Sequence, residues 1–208
     1  MRTHVVHHPL VAHKLTVLRD EQTDSPTFRR LAEELVTLLA YEATREVRTE
    51  TVSITTPVSD AEGVKLASPK PLVVPILRAG LGMVEGITQL IPSARVGHVG
   101  LFRDHVTLLP VSYYFKVPAA ETDRDFFVLD PMLATGGSAV AAVSRLRESG
   151  ATRVRFLCLV AAPEGVQAML NAHPTVPVFA AALDRELNRQ GYILPGLGDA
   201  GDRIFGTR

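Results

Sequence analysis

The sequence predicts an α/β fold, a mostly parallel, twisted sheet flanked by helices, and three observations carry that prediction. From residue 70 onward, short apolar runs alternate with stretches long enough for crossover helices. Several of those runs are continuously apolar, as strands covered on both faces are. Gly150 directly follows the stretch 138–149, at the position where helices commonly stop.

Taken in order, the first seventy residues stand apart from the rest as a helix-and-arm region. Ser25-Pro26 opens a helix, because proline is tolerated where the first amide has no helical partner. Phe28, Leu31, Leu35, Leu38, Leu39 and Ala43 then recur at three- and four-residue spacing, one stripe of an amphipathic helix. Glu50 to Pro57 is rich in β-branched residues and reads as a strand. The remainder, 71–208, forms the core of what reads as one domain spanning 1–208. Its strands are expected at Leu72–Leu77, Arg95–Leu101, Phe126–Leu129, Val154–Val160 and Val176–Ala182, with helices over Met83–Ile91, Ser138–Ser149 and Glu164–Ala172. Val111–Val117, with its aromatic pair, reads as a hairpin or hood rather than a central strand. On such sheets ligands bind beyond the carboxyl ends of the strands, so the loops there are the ones to search.

Composition narrows the function classes. Of 208 residues, 22 are Lys or Arg and 22 are Asp or Glu, so the formal net charge is zero. A chain that coats nucleic acid carries a basic excess, so no nucleic-acid partner is expected. At 46% hydrophobic and 21% charged, the chain has matter for a sizeable core and none of the signature of disorder. The N-terminus MRTHVVHHPLVAHK lacks the apolar core of a secretion signal and no window reads as a membrane span, so a cytoplasmic protein without a membrane partner is expected. Cys158 is the only cysteine, which excludes an internal disulfide and any multi-cysteine metal site. It reads as a small buried apolar residue rather than a nucleophile. His4, His7, His8 and His13 crowd the N-terminus, but their spacing fits no compact ligand set, and an exposed arm or subunit contact suits them better. Asp104, His105, Asp184 and Asp202 have no pattern that separates a site role from loop capping.

The strongest chemical signal is FFVLDPMLATGGSAVAAVSRL, residues 126–146. An apolar strand ends in Asp130, a loop carries Thr135-Gly136-Gly137-Ser138, and a helix follows at once. Adjacent glycines let successive amides face one anion with no Cβ in the way. The helix start adds unpaired N–H groups and a positive dipole end, worth roughly 0.3–1 kcal/mol for one anionic charge. Thr135 and Ser138 can donate hydroxyl hydrogen bonds to the same phosphate, whereas Asp130 suits sugar hydroxyls or a hydrated magnesium ion. No Lys follows the glycines, so this is not the nucleotide P-loop. An acidic strand end, TGG and a helix start together form a layout that binds a ribose 5-phosphate.

Two further places carry chemistry. Arg78 stands one residue past the strand LVVPIL, and Arg103 occupies the matching position after RVGHVGL. A diphosphate needs cationic partners, and the guanidinium fork pairs with two oxygens at once. The stretch GLGMVEG at 80–86 could suggest a nicotinamide site, but it lacks the proper glycine spacing after Arg78. The segment GLGDAG at 196–201 satisfies GxGxxG literally, yet seven residues follow Gly201, which leaves no βαβ unit. It reads instead as a loop whose bare backbone meets a flat ligand.

The segment DPMLATGGS resembles the phosphoribosyl-diphosphate loop of the uracil phosphoribosyltransferase family. Similar blocks recur in order along nearly the whole chain: HPLVAHKLTVLRD at 8–20, LLAYEATRE at 38–46, VVPILRAGLGMVEGI at 73–87, CLVAAPEGV at 158–166 and GYILPGLGDAGDRIFGT at 191–207. The resemblance implies a type I phosphoribosyltransferase-like fold with an N-terminal arm and a hood. It implies transfer of the 5-phosphoribosyl group from phosphoribosyl diphosphate to N1 of uracil, giving UMP and diphosphate in pyrimidine salvage. It assigns the donor to Arg78, Arg103, Asp130, Pro131, Met132, Leu133, Ala134, Thr135, Gly136, Gly137, Ser138 and Asp199, with Arg78, Arg103 and Asp130 as catalytic residues. It assigns uracil to Ile193, Gly198, Asp199 and Ala200. Mg²⁺ carried largely by the donor's diphosphate, GTP as an effector, and a homodimer or higher homo-oligomer belong to the same expectation. The chain departs from the wider superfamily in having Pro131 after Asp130, where a second acid is usual. It departs from the family in reading GLFRDH at 100–105, with Phe102 and His105. An RNA-binding regulator on the same fold predicts a basic face and a divergent base pocket, whereas this chain is neutral and keeps the family-like C-terminal loop.

Overall fold

The computed structural model describes residues 3–103, 110–119, 121 and 123–207. Its elements are β1 (Thr3–Val5), α1 (Pro9–Arg19), α2 (Ser25–Ala43), β2 (Thr49–Thr55), β3 (Asp60–Leu66), β4 (Leu72–Leu77) and a 3₁₀ turn over Ala79–Met83. There follow α3 (Val84–Leu90), β5 (Arg95–Val96), β6 (His98–Arg103), β7 (Pro110–Lys116), β8 (Asp125–Leu129) and β9 (Met132–Leu133). The chain closes with α4 (Gly137–Glu148), β10 (Arg153–Ala161), α5 (Pro163–Ala172), β11 (Val178–Leu183), β12 (Glu186–Leu187), β13 (Ile193–Leu194) and α6 (Ala200–Phe205).

The main sheet runs β1-β11-β10-β8-β4-β6-β7. Every neighbouring pair is parallel except β6 with β7, which form an antiparallel hairpin at one edge. The Val111–Val117 segment is therefore a hairpin strand, as expected. The apolar strands are continuous because their alternate residues feed two cores. Val73, Phe127, Leu129, Leu157 and Phe179 point to the face covered by α1, α2, α3 and α6. Leu72, Val74, Phe126, Val128, Phe156 and Cys158 point to the face covered by α4 and α5. Cys158 is thus buried in apolar packing, and burial pushes its thiol pKa up, away from thiolate chemistry.

Helix α2 begins where expected, with the Asp24 carboxylate accepting the Thr27 N–H at 2.9 Å. Phe28, Leu31, Leu35, Leu39 and Ala43 are buried along its stripe, while Leu38 is only partly covered. Three features differ from the sequence reading. The expected strand over 95–101 is broken at Gly97 into β5 and β6, both parallel to β4. The first residues are not a free arm, since β1 adds to the sheet edge beside β11 and His4 stacks on Phe179 at 4.7 Å, while His7, His8 and His13 are exposed as expected. His8 Nδ1 accepts the Leu10 N–H at 3.1 Å and so caps α1, a helix that the sequence reading did not assign. The arm of the N-terminal region is instead the antiparallel hairpin of β2 and β3, whose residues are mostly exposed.

Candidate functional site

Parallel strands bring their carboxyl ends to one edge of the sheet. Arg78 follows β4, Asp130 follows β8 and Asp184 follows β11 on that edge. β4 and β8 are neighbours, yet the chain leaves them in opposite directions. From β4 it passes through α3, on one face, to β5 and β6 on one side; from β8 it passes through α4, on the other face, to β10 on the other side. A crevice must open where the connections diverge, and Arg78 and Asp130 stand on its two walls.

The turn after β4 lies close against the tip of β8. A Cβ on Gly80 would stand 2.4 Å from the Leu129 carbonyl oxygen, so only glycine permits that approach. The Leu77–Arg78 peptide is cis. Arg78 is exposed, and its guanidinium makes no hydrogen bond or ion pair to a described residue. It is available to an anion. Arg103 closes β6, opposite Pro110; its side chain, like Asp104 and His105, lies outside the described residues. Phe102 is exposed and tilts against Tyr113 at 6.3 Å.

The loop after β8 continues the sheet before it turns. Asp130 N–H donates to Leu157 O (3.2 Å), Pro131 O accepts from Leu159 N–H (2.9 Å), and Met132–Leu133 pair with β10 as β9. Pro131 and Leu133 are buried and Met132 and Ala134 half-buried, so this half is scaffold. The second half opens outward: Thr135 and Ser138 are exposed, and Gly136 takes φ +84° at the N-cap of α4, with no side chain capping the helix. With glycine at the N-cap, the first turn of α4 lacks the usual capping side chain, the arrangement that suits an anion at a helix start. Asp130 is half-buried, and desolvation of its carboxyl raises its pKa from the ordinary 3.8 to about 7, partly offset by the Met132 N–H.

The C-terminal segment meets both walls. A Cβ on Gly191 would lie 3.8 Å from Thr135 Cγ2, and one on Gly201 would lie 3.8 Å from Ala79 Cβ. The loop between these two glycines therefore stretches from the phosphate loop to the turn of Arg78. Asp199 caps α6, its Oδ1 accepting the Asp202 N–H at 2.9 Å. Asp202 itself accepts from Thr207 Oγ1 at 2.7 Å, a terminal-turn role. Gly198 is exposed, with φ +77°. Ile193 and Ala200, by contrast, are buried in the apolar core beside Met83 and Ile204. The small residue at 200 is explained by packing, and its methyl is not the reason that the backbone stays open.

The sequence reading missed the residues that hold this loop. Arg19 and Asp184 form a fork-to-fork ion pair, with Nη2–Oδ1 at 2.6 Å and Nη1–Oδ2 at 2.8 Å. Arg203 stacks over Phe28 at 4.5 Å and donates to Leu197 O at 3.0 Å and to Asp20 O at 2.5 Å. Arg19 and Arg203 were signalled only by membership of the blocks at 8–20 and 191–207, and Asp184, outside both, stood among the acids with no pattern to mark a site role. Among the described residues, no three His, Cys, Asp or Glu side chains gather into a metal-binding group, and no helix is long and apolar enough to cross a membrane.

Residues 5–207 match the family model described as uracil phosphoribosyltransferase. The chain is 60% identical over 209 residues to the uracil phosphoribosyltransferase of Streptomyces griseus subsp. griseus, covering 100% of this chain and 99% of that one. It is 56% identical over 207 residues to the enzyme of that name from a Geobacillus strain, with the same coverage. A solved Aquifex aeolicus protein superposes with a TM-score of 0.91 at 35% identity, over 97% of this chain and 96% of that one. A Bacillus anthracis hypoxanthine-guanine phosphoribosyltransferase shares the fold, with a TM-score of 0.51 at 11% identity over 77% and 80% of the two chains.

Proposed function

The chain belongs to the uracil phosphoribosyltransferase family, and from that membership we infer that it transfers the 5-phosphoribosyl group of phosphoribosyl diphosphate to N1 of uracil, giving UMP and diphosphate in pyrimidine salvage. The observation that carries the assignment to this chain's own residues is the meeting of three segments at one sheet edge: the exposed Arg78, the open half of the loop 130–138, and the segment 191–201.

Breaking the C1–O bond leaves positive charge on the ribose and negative charge on the departing diphosphate. Catalysis is then mostly electrostatic, and Arg78 with Arg103 stabilises the leaving group as its charge grows. Thr135, Ser138 and the amides from Gly136 onward hold the 5-phosphate, and Asp130 accepts from the ribose hydroxyls. Buried Pro131 and Leu133, with Met132 and Ala134, fix that loop against β10. The uracil edge lies along the backbone of Gly198, Asp199 and Ala200 over Ile193, which aligns N1 for attack. Asp199, beside the turn of Arg78, completes the donor side.

Mg²⁺ fits this donor set: hard oxygen ligands are wanted, and the substrate's own diphosphate supplies most of them. Asp130 is a protein carboxylate that would help to hold the ion, which would neutralise charge on the diphosphate. The exposed β2–β3 hairpin, with Val58 and Val64 in the open, supports a homodimer or higher assembly, because a lone two-stranded ribbon is marginal in water. Sedimentation at working concentration tests that assembly. A cytoplasmic location belongs to the same proposal, supported by the absence, among the described residues, of a helix long and apolar enough to cross a membrane.

Uracil-dependent release of diphosphate from phosphoribosyl diphosphate is the deciding assay. Release must require uracil and yield UMP in equal amount; release without uracil, or with another base preferred, overturns the assignment. The same assay with and without GTP tests the effector.

A further inference from the structure

Two adjacent parts of the C-terminal loop differ in how their backbone is satisfied. Gly196 has both polar groups committed: its N–H donates to Asp184 Oδ2 at 2.9 Å, and its carbonyl accepts from Arg19 Nη1 at 2.6 Å. Arg19 and Asp184 are at the same time locked to each other through two hydrogen bonds, with side chains 21% and 5% exposed. The next carbonyl, Leu197 O, is taken by Arg203 at 3.0 Å. Gly198, one residue on, makes no backbone hydrogen bond to a described residue.

We propose that Arg19 and Asp184 are positioning residues for the base: they clamp Gly196 so that the following backbone, from Gly198, is presented at a fixed depth to uracil. The inference rests on the reading of 198–200 as the base-binding backbone. A backbone that reads a small planar ligand by hydrogen bonds must hold its donors and acceptors to a few tenths of an ångström, and a free glycine-rich loop does not. Here the loop cannot fix itself, since Gly196 and Gly198 both take positive φ and offer no side chain to pack. The fork of Arg19 supplies the missing rigidity: it holds the Asp184 carboxylate with two hydrogen bonds and reaches the Gly196 carbonyl from the same Nη1. Neither residue needs to touch substrate for this. Arg19 closes α1 and Asp184 follows β11, so the loop inherits its position from a helix and a strand rather than from its own sequence.

The test measures steady-state kinetics for both substrates in Arg19→Gln, Asp184→Asn and the double variant. KM for uracil should rise about tenfold in each single variant, the effect of about one lost charge-assisted hydrogen bond, while KM for the donor stays within about twofold. The double variant should lie within about twofold of the worse single one, because the pair acts as a unit. Amide hydrogen exchange should quicken over 194–200 and stay unchanged over 130–138. If Asp184→Asn does not fold, Arg19→Lys, which keeps the charge and loses the fork, must still raise the uracil KM. An unchanged uracil KM with lowered melting temperature, or parallel rises for both substrates, overturns the proposal. Gly198→Ala separates this from failure of the underlying reading: if it leaves uracil KM untouched, the segment 198–200 is not the base site and the inference falls with it.

Discussion

The phosphate loop and the base loop lie at the same sheet edge but are built in opposite ways. Residues 130–138 carry their own geometry: a strand delivers Asp130, β9 extends the sheet beside β10, and Gly136 turns the chain into α4. Residues 193–200 borrow theirs. The contacts that hold Gly196 and Leu197 come from Arg19, 177 residues away, from Asp184 and from Arg203. A contiguous motif can be moved between proteins and recognised by eye, because its anion-binding amides follow from local dihedral angles. A loop held by distant side chains is only as specific as the fold around it. The donor side should therefore respond to changes within its own few residues, and the base side to changes far from it.

The largest effect is expected at a residue that belongs to neither loop. Arg78 is exposed and has no partner among the described residues, so its charge is expected to matter more to the ligand than to the fold. Arg78→Ala should lower turnover by about 10²–10³-fold, the cost of removing one group aimed at transition-state charge, with the melting temperature nearly unchanged. A matched loss of stability and activity would make Arg78 part of the scaffold and erase the division between clamp and loops.

Next comes Asp130→Asn, which should weaken donor binding by roughly ten- to a hundredfold and leave uracil affinity alone. It should also stabilise the free protein, and the sign follows from the raised pKa. The carboxyl holds its proton up to about 7 in the folded chain, against the ordinary 3.8. Ionisation therefore penalises the folded state, not at all below pH 3.8, increasingly across pH 3.8–7, and fully above. The Asn variant escapes that penalty, so its stability gain over the parent, read through the melting temperature, should grow with pH to about 7 and then level off, on the order of a few kcal/mol at most. A gain independent of pH would mean that Asp130 is not desolvated as described. Donor binding, in that comparison, is obtained at the expense of stability inside one contiguous motif.

Ala200→Leu probes the other loop. Ala200 is fully buried against the core that includes Met83 and Ile204. Two added branches there overpack the site by about 1–3 kcal/mol. Affinity for uracil should fall together with the melting temperature, and the donor, which shares Asp199 and the turn of Arg78, should suffer too. A selective loss of uracil binding at full stability would instead place the residue-200 side chain at the base.

How much of this was legible in the sequence divides along the same line. The strands at 72–77, 126–129 and 154–160 were readable because burial on both faces leaves uninterrupted apolar runs, and the phosphate loop was readable because acid, glycines and hydroxyls sit side by side. Helix α1 was missed although Val11, Leu15 and Leu18 stand at helical spacing, since His and Thr residues dilute a short stripe. β1 is three residues long, too short to show a period. The break at Gly97 had a visible glycine but no sign of which strand pairing it would interrupt. The Arg19–Asp184 pair spans 165 residues, and no local pattern announces a partner at that distance. Ala200 stands in the small-residue run GLGDAG, which reads as bare backbone; only the packing of α6 shows that its methyl is buried.

The smallest expected effect gives the finest test of a self-contained phosphate loop, because it compares neighbouring glycines. Gly136 has φ +84°, and a Cβ there would stand 2.7 Å from Ala168 Cβ. Gly136→Ala must therefore strain the backbone, at about 1–2 kcal/mol, and push on α5. Gly137 has neither constraint: its φ is outside the left-handed region, and the one atom near its added Cβ is Thr135 Oγ1 at 3.9 Å. As the first residue of α4 it gains helix propensity on becoming alanine. Gly137→Ala should keep or slightly raise the melting temperature. It should still raise the KM for phosphoribosyl diphosphate severalfold, since an added Cβ would project into the open space beside Thr135 where the phosphate is proposed to lie. Gly136→Ala should raise the same KM together with a fall in melting temperature. Uracil KM should hold in both. If Gly137→Ala leaves donor binding untouched, the open half of the loop faces bulk solvent and the anion lies elsewhere along the sheet edge. If it disturbs uracil as much as the donor, the two loops are mechanically coupled through the contact of Thr135 with residue 191, and the phosphate loop is no more independent than the loop it was set against.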